Sequence, residues 1–217
     1  MKGDRTRAAI LERAVDIASL EGLAGLTIGR LAEELEMSKS GLFAHFGSKE
    51  ELQLATIEAA GERFLDEAFR PSLAAPRGYP RLVALCNAWL DYVKRGVFPG
   101  GCFFAAASFE YDGRTGPVRD LIASKMNDWI VAIEKAVQMA KDEGHLHPGV
   151  DPSQIAFELN ALFFGANFAY NMRQDKRALE RARTAIEHRL EALLKRGGRS
   201  RPARSARPKT ARAPRRA

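Results

Sequence analysis

Leu26-Thr27-Ile28-Gly29-Arg30-Leu31-Ala32-Glu33-Glu34-Leu35-Glu36-Met37-Ser38-Lys39-Ser40-Gly41-Leu42-Phe43-Ala44-His45-Phe46-Gly47-Ser48-Lys49-Glu50-Glu51-Leu52-Gln53-Leu54 is the stretch whose reading decides the fold. Thr27 and Ser38 are residue types whose side-chain oxygens accept the free N–H groups at a helix start. Ile28, Leu31, Ala32 and Leu35 recur at spacings of three and four and predict one inward helical face. A tight turn follows at Glu36-Met37, with Met37 as an apolar plug. On the second short helix Leu42 and Phe46 face the core, while Lys39, Ser40, Gly41, Phe43 and His45 occupy the opposite face. This is the layout of a helix-turn-helix. Small residues at the start of its second helix allow close approach to base edges in a major groove. The N–H groups after Thr27 and Ser38 are placed to hold phosphate.

Upstream, Ile10, Ala14, Ile17 and Ala18 predict a helix from about Thr6 to Glu21, stopped by Gly22. Downstream, Ser48 and Glu51 form a capping-box pattern that opens a fourth helix to about Phe69. Arg70 to Pro80 holds three prolines and a glycine and reads as a joint. Helical patterns then run from Tyr79 to Arg95, Cys102 to Phe109, Pro117 to Glu143, Asp151 to Met172 and Asp175 to Arg196. Pro99-Gly100-Gly101 and the loop from His145 to Val150 interrupt them. The expected fold class is all-α, with a helix-turn-helix DNA-binding domain at 1–50, a second, helical domain at 51–196, and a disordered basic tail at 197–217.

Composition agrees. Among 217 residues, 35 alanines and 22 leucines outnumber the 17 valines plus isoleucines, which favours helix over sheet. The net charge of +7 is misleading: ten basic and no acidic residues lie from Lys195 onward, which leaves 24 basic against 27 acidic residues, a net of −3, in the body. The tail reads either as a solvated segment or as an arm attracted to polyanions. The longest nearly uncharged apolar stretch, Asn160 to Met172, is short of the roughly 20 residues of a membrane span. The charged N-terminus argues against a signal peptide, and two cysteines make no disulfide framework. A cytoplasmic protein without membrane association is the expectation.

The pattern Leu26-Thr27…Leu31-Ala32…Met37-Ser38-Lys39…Leu42-Phe43-x-His45-Phe46…Ser48-Lys49-Glu50-Glu51-Leu52 resembles the DNA-binding domain of TetR-family transcriptional regulators. The resemblance implies that Thr27 contacts a phosphate and caps its helix, and that Ser38 caps the recognition helix. It places Lys39, Ser40 and Gly41 in the major groove, His45 and Lys49 at the DNA backbone, and Arg30 at the groove or a phosphate. Phe43 stands where the family usually has tyrosine, so it packs without donating the hydroxyl hydrogen bond. Glu36 stands where the family commonly has glycine; a left-handed conformation there would cost on the order of 1 kcal/mol. Through Leu52 there are seven basic and nine acidic residues, so affinity must come from locally placed cations, helped by the tail.

The resemblance also implies a homodimer that binds double-stranded DNA at a palindromic operator, acts as a repressor and is released by a small apolar effector. The Asp151–Met172 helix carries two apolar stripes. Ile155, Leu159, Leu162, Ala166 and Ala169 form one; Phe157, Ala161, Phe164, Phe168 and Met172 form the other, with Gly165 small enough for close approach. One stripe packs internally and the other needs a partner, together with Ala182, Ile186 and Leu190 of the last helix. Trp89, Tyr92, Cys102, Phe103, Phe104, Phe109, Met126 and Trp129 crowd the middle of the chain; they read as core or as an effector cavity with Tyr92 or Asn160 as polar handle.

No catalytic motif, phosphate loop or set of metal-ligand spacings is present, so no enzyme, metal or cofactor is expected. Two alternatives stand beside the regulator. One is a helical small-molecule binder with vestigial DNA binding; the other is a non-specific DNA binder driven by the tail.

Overall fold

Three hydroxyl caps shape the N-terminal part of the molecule in the computed structural model, which describes residues 2–195. Thr27 Oγ1 accepts from Arg30 N–H at 3.0 Å and opens α2 (Ile28–Leu35). Ser38 Oγ accepts from Gly41 N–H at 3.1 Å and opens α3 (Lys39–Phe46). Ser48 Oγ accepts from Glu51 N–H at 3.0 Å and opens α4 (Lys49–Phe64). The expected capping box is one-sided, because the Ser48 N–H donates to Phe46 O at 2.8 Å. The first helix, α1 (Lys2–Glu21), begins earlier than the apolar pattern indicated and packs along α4. Between α2 and α3, Glu36 is left-handed at φ 52 and ψ 35.

The fourth helix departs from its expected course before Phe69. After Phe64 it widens into a π-helical turn, Leu65–Phe69, and then tightens into a 3₁₀ turn, Arg70–Ala74. Pro71 explains the opening: it has no N–H to give, and its ring crowds the carbonyl four residues back, that of Glu67. That freed carbonyl accepts from Arg95 Nη2 at 3.1 Å, so no buried acceptor is orphaned by the irregularity.

The remaining helices are α5 (Tyr79–Arg95), α6 (Phe103–Tyr111), α7 (Pro117–Asp142), α8 (Pro152–Asn171) and α9 (Ala178–Glu191). Asp151 caps α8 through Ser153 N–H at 3.0 Å. The last helix is shorter at both ends than its hydrophobic repeat suggested. Asp175 turns its carboxylate to Arg177 N–H at 2.9 Å, and past Glu191 the chain leaves the helix to meet the 145–147 loop. There His147 N–H donates to Leu193 O and Lys195 N–H to His145 O, both at 2.9 Å, around an isolated bridge between Leu146 and Leu194. No strand is formed among the described residues, and no described helix is long and apolar enough to cross a membrane. The stop expected at Gly197-Gly198 and the tail lie outside the described residues.

The core is an aromatic cluster between α4, α5, α7 and α8. Phe64 sets its ring edge-on to Tyr92, Phe104 and Trp129 at centroid distances of 5.4, 5.8 and 5.1 Å, and Trp89 stacks on Phe163 at 4.4 Å. Such pairs add about 0.5–1.5 kcal/mol each beyond the burial of their area.

Replacing Glu36 by glycine removes a Cβ from a left-handed residue without touching the buried face. Glu36→Gly is expected to raise unfolding stability by up to about 1 kcal/mol. Denaturant midpoints check this; an unchanged or lower midpoint would show that the turn carries no strain.

Candidate functional site

Leu42 and Phe46 are buried beneath α3, and this rotation turns the other face outward. Lys39, Ser40 and Phe43 are exposed, Phe43 by 56%; Gly41 and His45 are half-buried. His45 rests its ring near Phe46, 6.2 Å between centroids. Ser38 Oγ, besides capping the helix, accepts from Ser40 Oγ at 3.3 Å. Lys39 lies across the start of α2, its Cε 3.6 Å from where a Cβ on Gly29 would stand, an ordinary contact distance. Thr27 is at the same helix start. Lys49 is exposed and donates from Nζ to Ala24 O at 2.6 Å. Thr27, Ser38, Lys39, Ser40, Gly41, Phe43, His45 and Lys49 thus all belong to the start of α2, to α3 or to the first residue of α4.

Arg30 is engaged within the chain. Its guanidinium is held by Glu21 at 2.6 Å and Glu34 at 2.9 Å, and Arg13 also pairs with Glu34. The hydrogen bond from Arg30 holds the Glu21 carboxyl below the usual carboxylate range; hydrogen bonds from Arg13 and then Arg30 do the same for Glu34. The sequence placed Arg30 at a helix start next to DNA-facing residues, but the two acids that claim it are nine residues before and four after, and only the folded turn brings Glu21 within reach.

A cavity of about 150 Å³ lies inside the helical body. Of the residues expected there, Trp89, Cys102, Phe104, Met126, Trp129 and Asn160 line it. Tyr92 and Phe103 lie behind its wall, almost wholly buried. Phe109 is a correction: it is 70% exposed and packs edge-on to Phe164 outside the cavity. The wall also includes Phe64, Leu65 and Phe69 from the end of the fourth helix, and Lys125 and Asp128 from α7. Helical spacing assigned no face to the residues around the π-helical turn, so these were missed. Asn160 Oδ1 and the Tyr92 hydroxyl are buried without hydrogen-bond partners. Burial pushes the Cys86 thiol up to about 12 and raises Cys102 and Tyr92 as well, so neither sulfur is primed as a thiolate. Among the described residues, no group of three or more His, Cys, Asp or Glu side chains is placed to hold a metal ion.

The two stripes of α8 separate in part: Leu162 and Ala169 of the first are half-buried, and Phe164 of the second also lines the cavity. Ile155, Leu159 and Ala166 are buried, whereas Phe157 and Phe168 are 68% and 55% exposed. Ala161 and Gly165 are exposed and Phe164 half-buried on that outer side, which continues to Met172 and to Phe109 of α6. Ala182, Ile186 and Leu190, expected at a subunit contact, are instead buried in the chain's own core, because the apolar stripe of α9 is used up against α5 and α8.

The joint between the N-terminal helices and the body is polar. Glu110 of α6 accepts from the backbone N–H groups of Leu23 and Ala24 at 2.8 and 2.7 Å. Gln53 of α4 donates to Leu23 O at 2.7 Å and to the Tyr111 hydroxyl at 3.3 Å.

The sequence pattern of the family described as "Bacterial regulatory proteins, tetR family" matches residues 10–56, and that of "Tetracyclin repressor-like, C-terminal domain" matches residues 78–186. The chain is 34% identical over 100 residues to the HTH-type transcriptional regulator TcmR of Streptomyces glaucescens; this covers 44% of the chain and 42% of TcmR, less than half of that relative's length. A TetR transcriptional regulator from Chloroflexus aurantiacus has a similar fold, with a TM-score of 0.83 and 24% identity over 89% of this chain and 98% of that one. The structure of AibR in complex with isovaleryl coenzyme A and operator DNA is similar too, with a TM-score of 0.64 and 23% identity over 86% and 97% of the two chains.

Carboxylates whose folded pKa is lowered stabilise the fold above their unfolded value, and that contribution is lost as pH falls through the folded value. Arg30→Ala is therefore expected to lower stability near pH 7 and to converge on the parent protein only at an acidic pH below the ordinary carboxylate range, once Glu21 and Glu34 have protonated in the folded state. Urea melts at both pH values check this; a gap of equal size at the acidic pH would assign the loss to packing of the arginine stem.

Proposed function

The chain belongs to the TetR family of bacterial transcriptional regulators, and from that premise we propose that it is a dimeric repressor of a palindromic operator, released when a small molecule fills its cavity. The observation that carries this reading is the outward face of α3, where Lys39, Ser40 and Phe43 stand exposed over a buried Leu42 and Phe46. In the bound state Lys39, Ser40 and Gly41 enter the major groove, Phe43 packs on sugar or a thymine methyl, and Thr27, Ser38, His45 and Lys49 position the phosphates. Residues 1–50 form the reading head and 51–196 the sensor. The basic segment 197–217 adds sequence-independent, salt-sensitive attraction.

The outer stripe of α8 supports dimerisation. Phe157, Phe168 and Met172 are large apolar side chains left in water, and Ala161 and Gly165 between them let a second backbone approach closely. Two heads held in this way read successive major grooves ~34 Å apart. The cavity supports release. Its wall includes Phe64, Leu65 and Phe69 at the irregular end of the fourth helix, which only Gly47 and Ser48 separate from α3. It also includes Cys102, Phe104 and Ala105, at the start of the α6 rod that ends in Glu110 and grips the head. A ligand that spreads this wall changes the head separation and loses affinity for DNA, and DNA must by reciprocity weaken the ligand.

Selection of bound duplexes from a random pool tests the whole reading: a two-fold-symmetric consensus is expected, and enrichment of no sequence, or of an asymmetric one, overturns it. On the selected site Lys39→Ala is expected to weaken binding about tenfold while circular dichroism stays unchanged; equal affinity at two salt concentrations would remove Lys39 from the interface. Gly165→Glu places a charge on the outer α8 stripe and is expected to yield a monomer in sedimentation. A dimer of unchanged mass would assign the subunit contact to another surface.

A further inference from the structure

We propose that Arg7 is a phosphate clamp of the reading head, a contact to the DNA backbone supplied by α1 and held in place by the ring of Phe46; it rests on the DNA-binding reading above. The Arg7 guanidinium carbon lies over that ring, 5.2 Å from its centroid. Phe46 is the last residue of α3, so the charge stands at the end of the recognition helix, on an exposed side chain.

The packing of α1 fixes this position. Ile10, Leu11 and Ala14 are buried three, four and seven residues after Arg7, so Arg7 continues their stripe by one turn toward the helix start. A ring face attracts the cation without taking up its N–H groups, whereas a carboxylate accepts one or two of them. The neighbouring arginines show the contrast. Arg13 pairs with Glu34, Arg30 with Glu21 and Glu34, and Arg63 with Asp16 and Glu12. Arg7 has no ion pair among the described residues. Its donors are thus anchored in place and left for an acceptor outside the chain.

That acceptor is a phosphate. The eight residues of α3 span about 12 Å, the width of a major groove. With Lys39, Ser40 and Gly41 at the bases, the other end of the helix reaches the bordering strand. Phe46 is seven residues beyond Lys39, about 10 Å along the axis, too far for Arg7 to share the same base edges. His45 and Lys49, on either side of Phe46 in sequence, are assigned to the backbone by the reading above. Arg7 extends their row from a third helix, and it contributes affinity without sequence preference.

Fluorescence anisotropy of the full-length protein on the selected duplex, across a series of salt concentrations, tests the assignment. Each phosphate contact contributes about 0.9 to the slope of log affinity against log salt. Arg7→Ala is expected to reduce that slope by about one per subunit and to leave the preference among single-base variants of the duplex unchanged. Arg7→Lys keeps the charge and is expected to keep the slope. Arg5→Ala removes an exposed cation two positions along α1, about 200° round the helix from Arg7, and is expected to leave the slope as it is. If Arg7→Ala weakens binding with the slope of the parent protein, the ring contact serves only to pack α1 on α3 and the clamp is overturned. A changed base preference, or an equal loss of slope from Arg5→Ala, overturns it as well. A parent protein that binds no duplex overturns the regulator reading and the clamp with it.

Discussion

The carboxylate of Glu110 takes the N–H groups of both Leu23 and Ala24, and much of the molecule's logic depends on that contact. These two residues form the turn between α1 and α2, where helical hydrogen bonding leaves donors unsatisfied. Gln53 holds the Leu23 carbonyl from α4, and Lys49 holds the Ala24 carbonyl. About one turn back on α1, Gly100 N–H, ahead of α6, donates to Ser19 Oγ at 3.0 Å, so closely that a Cβ on Gly100 would meet Ser19 O at 1.7 Å. The reading head is therefore clamped by directional polar contacts and not merely by apolar packing.

Pro71 is a second constraint. By denying α4 a regular ending it produces the widened turn Leu65–Phe69, and that turn brings Leu65 and Phe69 beside Phe64 on the cavity wall. π-helical turns are frequent at functional sites because they re-aim side chains. Here the effect is to make the wall from the same helix that starts at the end of α3. Arg95 secures the arrangement by capping the freed Glu67 carbonyl and pairing with its carboxylate at 2.5 Å.

Electrostatics divide between local and distributed roles. The first 52 residues carry two more acidic than basic groups, and the acids are partly employed within the head: Glu21 and Glu34 restrain Arg30 and Arg13. That network links α1 to α2 and does not include Lys39 or Lys49. The cationic excess of the chain lies instead beyond Lys195.

Much was legible from the residues alone. Short-range chemistry determined the caps at Thr27, Ser38, Ser48 and Asp151, the inward faces of α1 to α3 and the all-helical class, because caps and helical periodicity depend on neighbours within four positions. What faces what across the molecule was not legible. Phe109 and Phe104 are five residues apart on one helix, yet one lies in water and the other on the cavity wall. Ile186 and Phe157 are both apolar helix residues, yet the first is covered by its own chain and the second is not. Arg30 meets Glu21 only because the intervening turn folds back. Burial and ion pairing between distant segments are decided by the three-dimensional arrangement of helices, since an apolar stripe specifies that it must be covered but not by which surface.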